Sequence, residues 1–76
     1  MIQEIIVSEK QVLVIISGSI FIEEATQIYE SLTGYIENGH KKFIIDLGDV
    51  YYINSAGVET LDAIRKKAMQ NGAVLL

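Results

Sequence analysis

Residues 43–59 read FIIDLGDVYYINSAGVE, and they join a strand pattern to a helix pattern. The apolar run at the start is typical of a buried strand, and a long amphipathic run follows its end. Asn54 is among the residues that favour helix N-caps, so Ser55, Ala56 and Gly57 fall in the first helical turn. Free backbone N–H groups and the helix dipole both attract negative charge there. The stretch therefore predicts a strand-to-helix junction that suits an anion, such as a phosphate carried by Ser55.

A purely structural helix cap explains the same residues, and spacing alone leaves that alternative open. A nucleophilic serine is disfavoured, because His40 is the one histidine and precedes the strand, while no GxSxG pattern surrounds Ser55. One histidine with scattered carboxylates does not make a metal-ligand set. We therefore expect no catalytic residue, metal or cofactor at this junction.

The rest of the chain alternates between strand and helix periodicity. Strands are expected at Ile2 to Val7, at Val12 to Ile16 until Gly18 ends the run, at Phe43 to Leu47 until Gly48-Asp49 loosens the chain, and at Ala73 to Leu76. Helices are expected from Glu23 to the Asn38-Gly39 stop, and from Ser55 to Asn71-Gly72 with a stripe of Val58, Leu61, Ile64 and Ala68. The predicted fold is α/β in the order β-β-α-β-α-β, with right-handed crossovers, a mainly parallel sheet and an N-terminal antiparallel hairpin. The run VLVII at residues 12–16 is typical of a strand that is covered on both faces.

Composition restricts the function classes. A chain of 76 residues holds one domain, and its net charge of −4 disfavours a nucleic-acid surface. No apolar run reaches the length of a membrane span, and no signal peptide or cysteine is present, so we expect a cytoplasmic protein without direct membrane insertion. Residues 1–76 end on a strand pattern, which predicts one domain truncated at its C-terminus. It also predicts self-association through the exposed last strand.

Three further groups of residues are candidate sites. Gly18-Ser19 follows a strand, but GSIFIEE is neither GxGxxG nor a P-loop, and a tight turn explains it as well. Asp46 and Asp49 could serve acid–base chemistry or simply solvate a loop. Tyr51 and Tyr52 are adjacent, so one of them is expected to be partly exposed as an interface anchor.

Two stretches resemble the STAS domain, a module shared by bacterial anti-sigma-factor antagonists and sulphate transporters. Residues 43–76, FIIDLGDVYYINSAGVETLDAIRKKAMQNGAVLL, resemble its centre, where an apolar strand precedes Asp-Ser-Ser/Ala-Gly and a helix. Residues 16–32, ISGSIFIEEATQIYESL, resemble its earlier segment, which usually reads Gly-Glu-Leu-Asp before the first helix. The resemblance implies STAS-type stacked βα units and a non-enzymatic regulatory module. It also implies that the family domain continues past residue 76 with a further strand and two helices.

The resemblance to the antagonists implies a phosphorylation switch. An anti-sigma factor with kinase activity would phosphorylate Ser55. A phosphatase would then restore the unphosphorylated serine. The unphosphorylated form would bind the anti-sigma factor. The implied partner surface consists of Asn54, Ala56, Gly57, Tyr52, Gly18, Ser19 and Phe21.

Two positions depart from the family pattern. Asn54 replaces the usual Asp before the serine, and Phe21 stands where the earlier motif has its Asp. These departures favour one alternative, a STAS scaffold subunit or domain of a membrane transport system without phosphorylation. A small nucleotide-binding or enzymatic α/β domain is a third hypothesis, which requires stabilisation by a nucleotide.

Overall fold

The computed structural model describes all 76 residues, which form a two-layer α/β fold with a sheet in one layer and two helices in the other. Its elements are β1 (Ile2–Val7), β2 (Val12–Ile20), α1 (Ile22–Glu37), β3 (Lys42–Ile53), α2 (Ser55–Gln70) and β4 (Val74–Leu75). The strands lie side by side in the order β1-β2-β3-β4. β1 pairs antiparallel with β2, whereas β2–β3 and β3–β4 are parallel. The predicted element order, N-terminal hairpin and mainly parallel sheet are confirmed.

Both helices pack on the same face of the sheet. Successive right-handed crossovers between neighbouring parallel strands place their helices on one side. The core beneath them is a single cluster of Val12, Val14, Ile16, Ile20, Ala25, Ile28, Leu32, Ile36, Phe43, Ile64, Ala68 and Ala73. On β2, Leu13 and Ile15 are only half-buried, since they point to the opposite face. The expectation that VLVII is covered on both faces is therefore wrong within this chain.

β2 and β3 are longer than the sequence predicted. β2 does not end at Gly18, whose φ is 95°, but continues to Ile20, and β3 continues through Gly48-Asp49 to Ile53. The register shifts twice, between Ile15 and Ser17 and between Gly18 and Ser19 of β2. Each shift places an extra residue on β3, so bulges absorb the breaks and let pairing continue. This extension carries both strands to the starts of the helices.

The helix boundaries and most of the buried stripes agree with the sequence. Gly39 and Gly72 have φ values of 96° and 70° just after the helices, as the Asn-Gly stops predict. Val58 is the exception, because its side chain is 54% exposed. Gly57 is buried in its place, which brings the first turn of α2 close to the sheet.

Candidate functional site

The two helices start side by side at one edge of the sheet. Ile20 and Ile53 are paired at the ends of the parallel strands β2 and β3. A single residue then separates each strand from its helix: Phe21 before α1 and Asn54 before α2. The backbone N–H of Asn54 donates to the carbonyl of Ile20 at 3.2 Å. This bond fixes the two helix starts next to each other.

Asn54 caps α2 as the sequence predicted. Its Oδ1 accepts from the Gly57 N–H at 2.9 Å, and its backbone carbonyl accepts from the Val58 N–H at 3.1 Å. Ser55 is the first helical residue and is exposed, and Ala56 beside it is half-buried. The backbone N–H groups of Ser55 and Ala56 lie in the first helical turn, so no carbonyl within the helix can accept a hydrogen bond from them. The junction therefore combines an accessible hydroxyl with two free backbone donors at the positive end of the dipole.

Gly57 allows the close approach of α2 to the sheet. A Cβ at this position would lie 2.7 Å from Cγ1 of Ile53 and 3.2 Å from Cγ2 of Ile20. These distances are shorter than an ordinary carbon–carbon contact of about 3.5–4.0 Å. Gly57 therefore allows α2 to pack closely on the sheet. Because Gly57 is buried, direct contact between this residue and a partner is disfavoured.

Phe21 occupies the N-cap of α1 but does not cap it with its side chain, since a phenyl ring accepts no hydrogen bond. The Glu24 carboxylate accepts instead from the Phe21 N–H at 2.9 Å. The Phe21 ring packs against Tyr52 with 5.3 Å between ring centroids and 39° between planes. The departure from the family Asp therefore replaces a carboxylate with an aromatic contact beside Ser55.

Tyr51 is a further exposed residue of this edge, whereas the surface predicted from the sequence named only Tyr52. It is 81% exposed, compared with 51% for Tyr52. The hydroxyls of Ser19 and Tyr51 are 3.5 Å apart, so Ser19 reaches the same edge. Gly18 pairs with Val50, further from the helix starts. A Cβ on Gly18 would lie 3.3 Å from the Cα atom of Met1. The adjacency of the tyrosines is visible in the sequence, but the register shift that leaves Tyr51 without a partner on β2 is not.

An apolar rim lies on the chain segments that meet at the junction before Ser55. We use this name for the exposed side chains of Phe21, Ile22, Tyr51, Tyr52 and Val58. They come from the ends of β3 and the starts of α1 and α2. Exposed aromatic and apolar side chains grouped around a polar centre are typical of a protein-binding surface.

Acidic residues follow Ser55 along α2. Glu59 and Asp62 stand four and seven positions after it, which places all three on one helical face. Arg65 and Lys66 bind the Asp62 carboxylate at 2.8 and 3.1 Å. The hydrogen bonds from Arg65 and then Lys66 lower the pKa of Asp62. Glu59 has no such partner, so a phosphate on Ser55 would face a like charge one turn away.

The other candidate groups lie apart from this site. Asp46 and Asp49 are exposed on β3 and, like every other carboxylate, belong to no metal-ligand cluster. His40 lies before the start of β3, at the opposite end of that strand from Ser55, with its ring edge-on to Tyr35 at 5.5 Å. It lines a cleft of about 160 Å³ with Glu9, Lys10, Gln11, Gly39, Lys41 and Lys42. No helix has the length and hydropathy needed to cross a membrane.

The chain is similar to one protein family and to several solved structures. A STAS domain model matches residues 3–76. The fold is similar to Mglu, with a TM-score of 0.86 and 17% identity over 95% of this chain. It is also similar to the unphosphorylated anti-sigma factor antagonist SpoIIAA, with a TM-score of 0.85 and 14% identity over 97% of the chain. An anti-sigma factor antagonist from Mycobacterium paratuberculosis gives a TM-score of 0.81 and 19% identity over 97%.

These similarities cover different shares of the other proteins. The chain spans 18% of the Mglu chain, 69% of SpoIIAA and 64% of the mycobacterial antagonist. The Bacillus SpoIIAA structure in its phosphorylated form is matched as well, with a TM-score of 0.84. At these identities the likeness establishes the fold, while the family match covers nearly the whole chain.

Proposed function

This chain belongs to the STAS domain family, and we propose that it is a regulatory binding module of the anti-sigma-factor-antagonist type. In this role it binds an anti-sigma factor that is also a serine kinase, in the cytoplasm. Phosphorylation of Ser55 ends the binding, and a phosphatase restores it. The chain itself performs no reaction.

The observation that carries the proposal is that the exposed Ser55 begins α2 at the same junction whose elements carry the apolar rim. A partner that covers this surface buries aromatic side chains, which dominate binding energy at protein interfaces. The exposed hydroxyl of Ser55 lies where a partner's active site could reach it. A charge added at Ser55 therefore falls within the area that such a partner would cover.

The local electrostatics explain how phosphorylation would act as a switch. A phosphoserine adds about −1.5 to −2 charges, and the free N–H groups at the start of α2 tolerate it without unfolding the helix. The same charge would be desolvated by any partner that rests on Phe21, Tyr51 and Tyr52. The like charge of Glu59 adds to the repulsion of an acidic partner surface. Modification should thus abolish binding and leave the fold intact.

The test uses three baits in a lysate of the source organism: wild type, Ser55→Ala and Ser55→Asp. The bound proteins are quantified by mass spectrometry, and wild-type bait recovered after incubation with ATP is analysed for a phosphoryl group on Ser55. We expect an ATPase of the kinase type on wild type and on Ser55→Ala, and its loss from Ser55→Asp. The phosphoryl group should appear on wild type alone.

Ala63→Asp is the matched control, because it adds the same charge at an exposed position of the same helix, away from the rim. It should retain the partner. Equal capture by Ser55→Ala and Ser55→Asp, together with no phosphorylation of Ser55, would refute the switch. Circular dichroism of all baits separates lost binding from lost fold.

A scaffold role in a membrane transport system is the second candidate, and Asn54 and Phe21 favour it. Both replace carboxylates of the antagonist pattern, and Phe21 instead packs on Tyr52. In this case all baits recover the same transport subunits, and Phe21→Ala weakens their capture more than any change at Ser55.

A further inference from the structure

The sheet face that the helices leave uncovered carries a continuous apolar row. Ile6 pairs with Leu13, and Leu13 pairs with Ile44. The Leu76 N–H donates to the Phe43 carbonyl at 2.8 Å, and the Leu76 carbonyl accepts from the Ile45 N–H at 3.0 Å, so Leu76 lies beside Ile44. The outer row, as we call Ile6, Leu13, Ile44 and Leu76, therefore crosses all four strands.

The outer row is exposed to solvent in this chain. Ile6 is 48% and Leu76 63% exposed, while Leu13 and Ile44 are half-buried by their neighbours. Ile15 and Val74 extend the apolar surface on either side of the row, by the alternation of side chains along each strand. Contiguous exposed apolar surface of this kind marks an interaction site.

Two opposite charges on β3 lie symmetrically about the row, and Glu4, which pairs with Ile15, adds a carboxylate on the same face. Lys42 and Asp46 are each two residues from Ile44 on β3, so all three side chains point to the same face. Neither charge forms an ion pair within the chain. One Asp46 oxygen accepts from the Gly48 N–H at 2.9 Å, which leaves the second oxygen available.

A two-fold axis that runs along the outer row would match these groups to themselves. If a second copy is turned over about that axis, its outer row rests on the first outer row. Lys42 of one copy then faces Asp46 of the other, and the reverse pair forms by symmetry. This is the self-complementarity that an isologous dimer interface requires.

The available area agrees with a weak dimer. β1, β2 and β3 each offer about three outward-facing positions and the short β4 end about two, and at about 4.8 Å by 6.6 Å for each position they give roughly 350 Å² for each copy. The total of roughly 700 Å² is below that of a standard specific interface, so we expect a weak dimer. Sheets stacked in this way lie about 10 Å apart with nearly aligned strands.

We propose that the uncovered sheet face binds a second copy of this chain, with outer row on outer row and Lys42 opposite Asp46. The interface differs from self-association through the β4 edge, in which strands pair by backbone hydrogen bonds. It also lies apart from Ser55 and the apolar rim, so it goes beyond the proposed regulatory function and fails independently of it.

The test measures the dimer dissociation constant of the 76-residue chain by sedimentation equilibrium at concentrations up to about 1 mM. Lys42→Glu and Asp46→Lys each create two like-charge contacts across the interface and should weaken dimerisation at least about tenfold. The double variant Lys42→Glu/Asp46→Lys restores both pairs and should return to within about threefold of wild type. Leu13→Thr, which replaces an apolar side chain by a polar one that strands favour, should also weaken the dimer.

Glu30→Lys is the control, because it makes the same change of charge as Asp46→Lys on the exposed side of α1. It should leave the dissociation constant unchanged. A chain that stays monomeric over the whole range overturns the proposal. So does a dimer that ignores Leu13→Thr and shows no rescue in the double variant, since that result assigns association to the β4 edge or another surface.

Discussion

The backbone N–H of Asn54 lies 3.2 Å from the carbonyl oxygen of Ile20, and this hydrogen bond joins the start of α2 to the end of β2. Because Phe21 follows Ile20 directly, the same bond sets the spacing between the two helix starts. Only one residue connects strand to helix in each case. Ser55 is therefore held by the sheet itself, which suits a residue that a partner must find in a defined position.

Replacement of Asn54 should separate the capping role from the recognition role of this position. Asn54→Ala removes the acceptor of the Gly57 N–H and should lower the free energy of unfolding by about 1 kcal/mol. Asn54→Asp keeps an oxygen acceptor, adds a charge that favours the helix dipole, and should be at least as stable as wild type. Urea denaturation of the three proteins measures these differences.

The variants Asn54→Ala and Asn54→Asp also test the phosphorylation hypothesis. If the carboxylate of the family pattern contributes to kinase recognition, Asn54→Asp should raise the rate at which Ser55 is modified in lysate. Asn54→Ala should be no faster than wild type. A stability loss with Asn54→Asp as large as that with Asn54→Ala would contradict the role of the side-chain oxygen as a cap.

Gly57 and Gly34 should respond in opposite directions to alanine. At Gly57 the new Cβ meets Ile53 at 2.7 Å, and overpacking of about 1–3 kcal/mol outweighs the gain of about 1 kcal/mol in helix propensity. At Gly34 nothing lies within 4 Å, so alanine should stabilise by about 0.5–1 kcal/mol. Thermal unfolding of both variants checks the signs. A stabilising Gly57→Ala would show that α2 can move away from the sheet at no cost.

The sequence was sufficient for the parts of the fold that depend on local patterns. The change from strand to helix periodicity and the Asn-Gly stops at Gly39 and Gly72 placed the helices correctly. Asn54 was identified as a cap because its residue type and the following small residues carry that information locally. These features require no knowledge of distant contacts.

The missed features all depend on distant contacts. Pairing with β2 holds β3 in extended conformation past Gly48, and local turn chemistry gave no sign of it. Val58 fits the helical stripe by spacing, yet the buried position belongs to Gly57 because α2 meets Ile53 and Ile20 there. The contact between Phe21 and Tyr52 joins residues 31 positions apart and could not be read from either segment.

Acid should reveal the ion pairs of Asp62. Hydrogen bonds from Arg65 and Lys66 lower the pKa of this carboxyl in the folded chain, so near pH 4 the unfolded chain binds more protons. The contribution of Asp62 to stability is therefore present above its ordinary pKa of about 3.9 and is lost as the pH falls through the lower folded value. Wild type should lose more stability than Asp62→Asn between about pH 5 and pH 2.

Urea denaturation across this range measures the difference, and added salt should reduce it because the pair is exposed. Glu30→Gln serves as the control, since it removes an exposed carboxylate that no cation contacts. Parallel acid profiles for wild type and Asp62→Asn would show that the contacts with Arg65 and Lys66 do not persist in solution.

Replacement of Thr33 by valine should stabilise the folded chain. Its hydroxyl is buried without a hydrogen-bond partner, whereas the hydroxyls of Thr26 and Ser31 donate to carbonyls four residues earlier at 2.8 and 3.0 Å. Valine has the same shape without the unsatisfied oxygen, so Thr33→Val should raise the free energy of unfolding by about 1 kcal/mol. Thr26→Val, at an exposed site on the same helix, should change it by less than about 0.5 kcal/mol. Destabilisation by Thr33→Val in urea denaturation would mean that the hydroxyl finds an acceptor in solution, for which the Tyr29 carbonyl one turn earlier is in the right position.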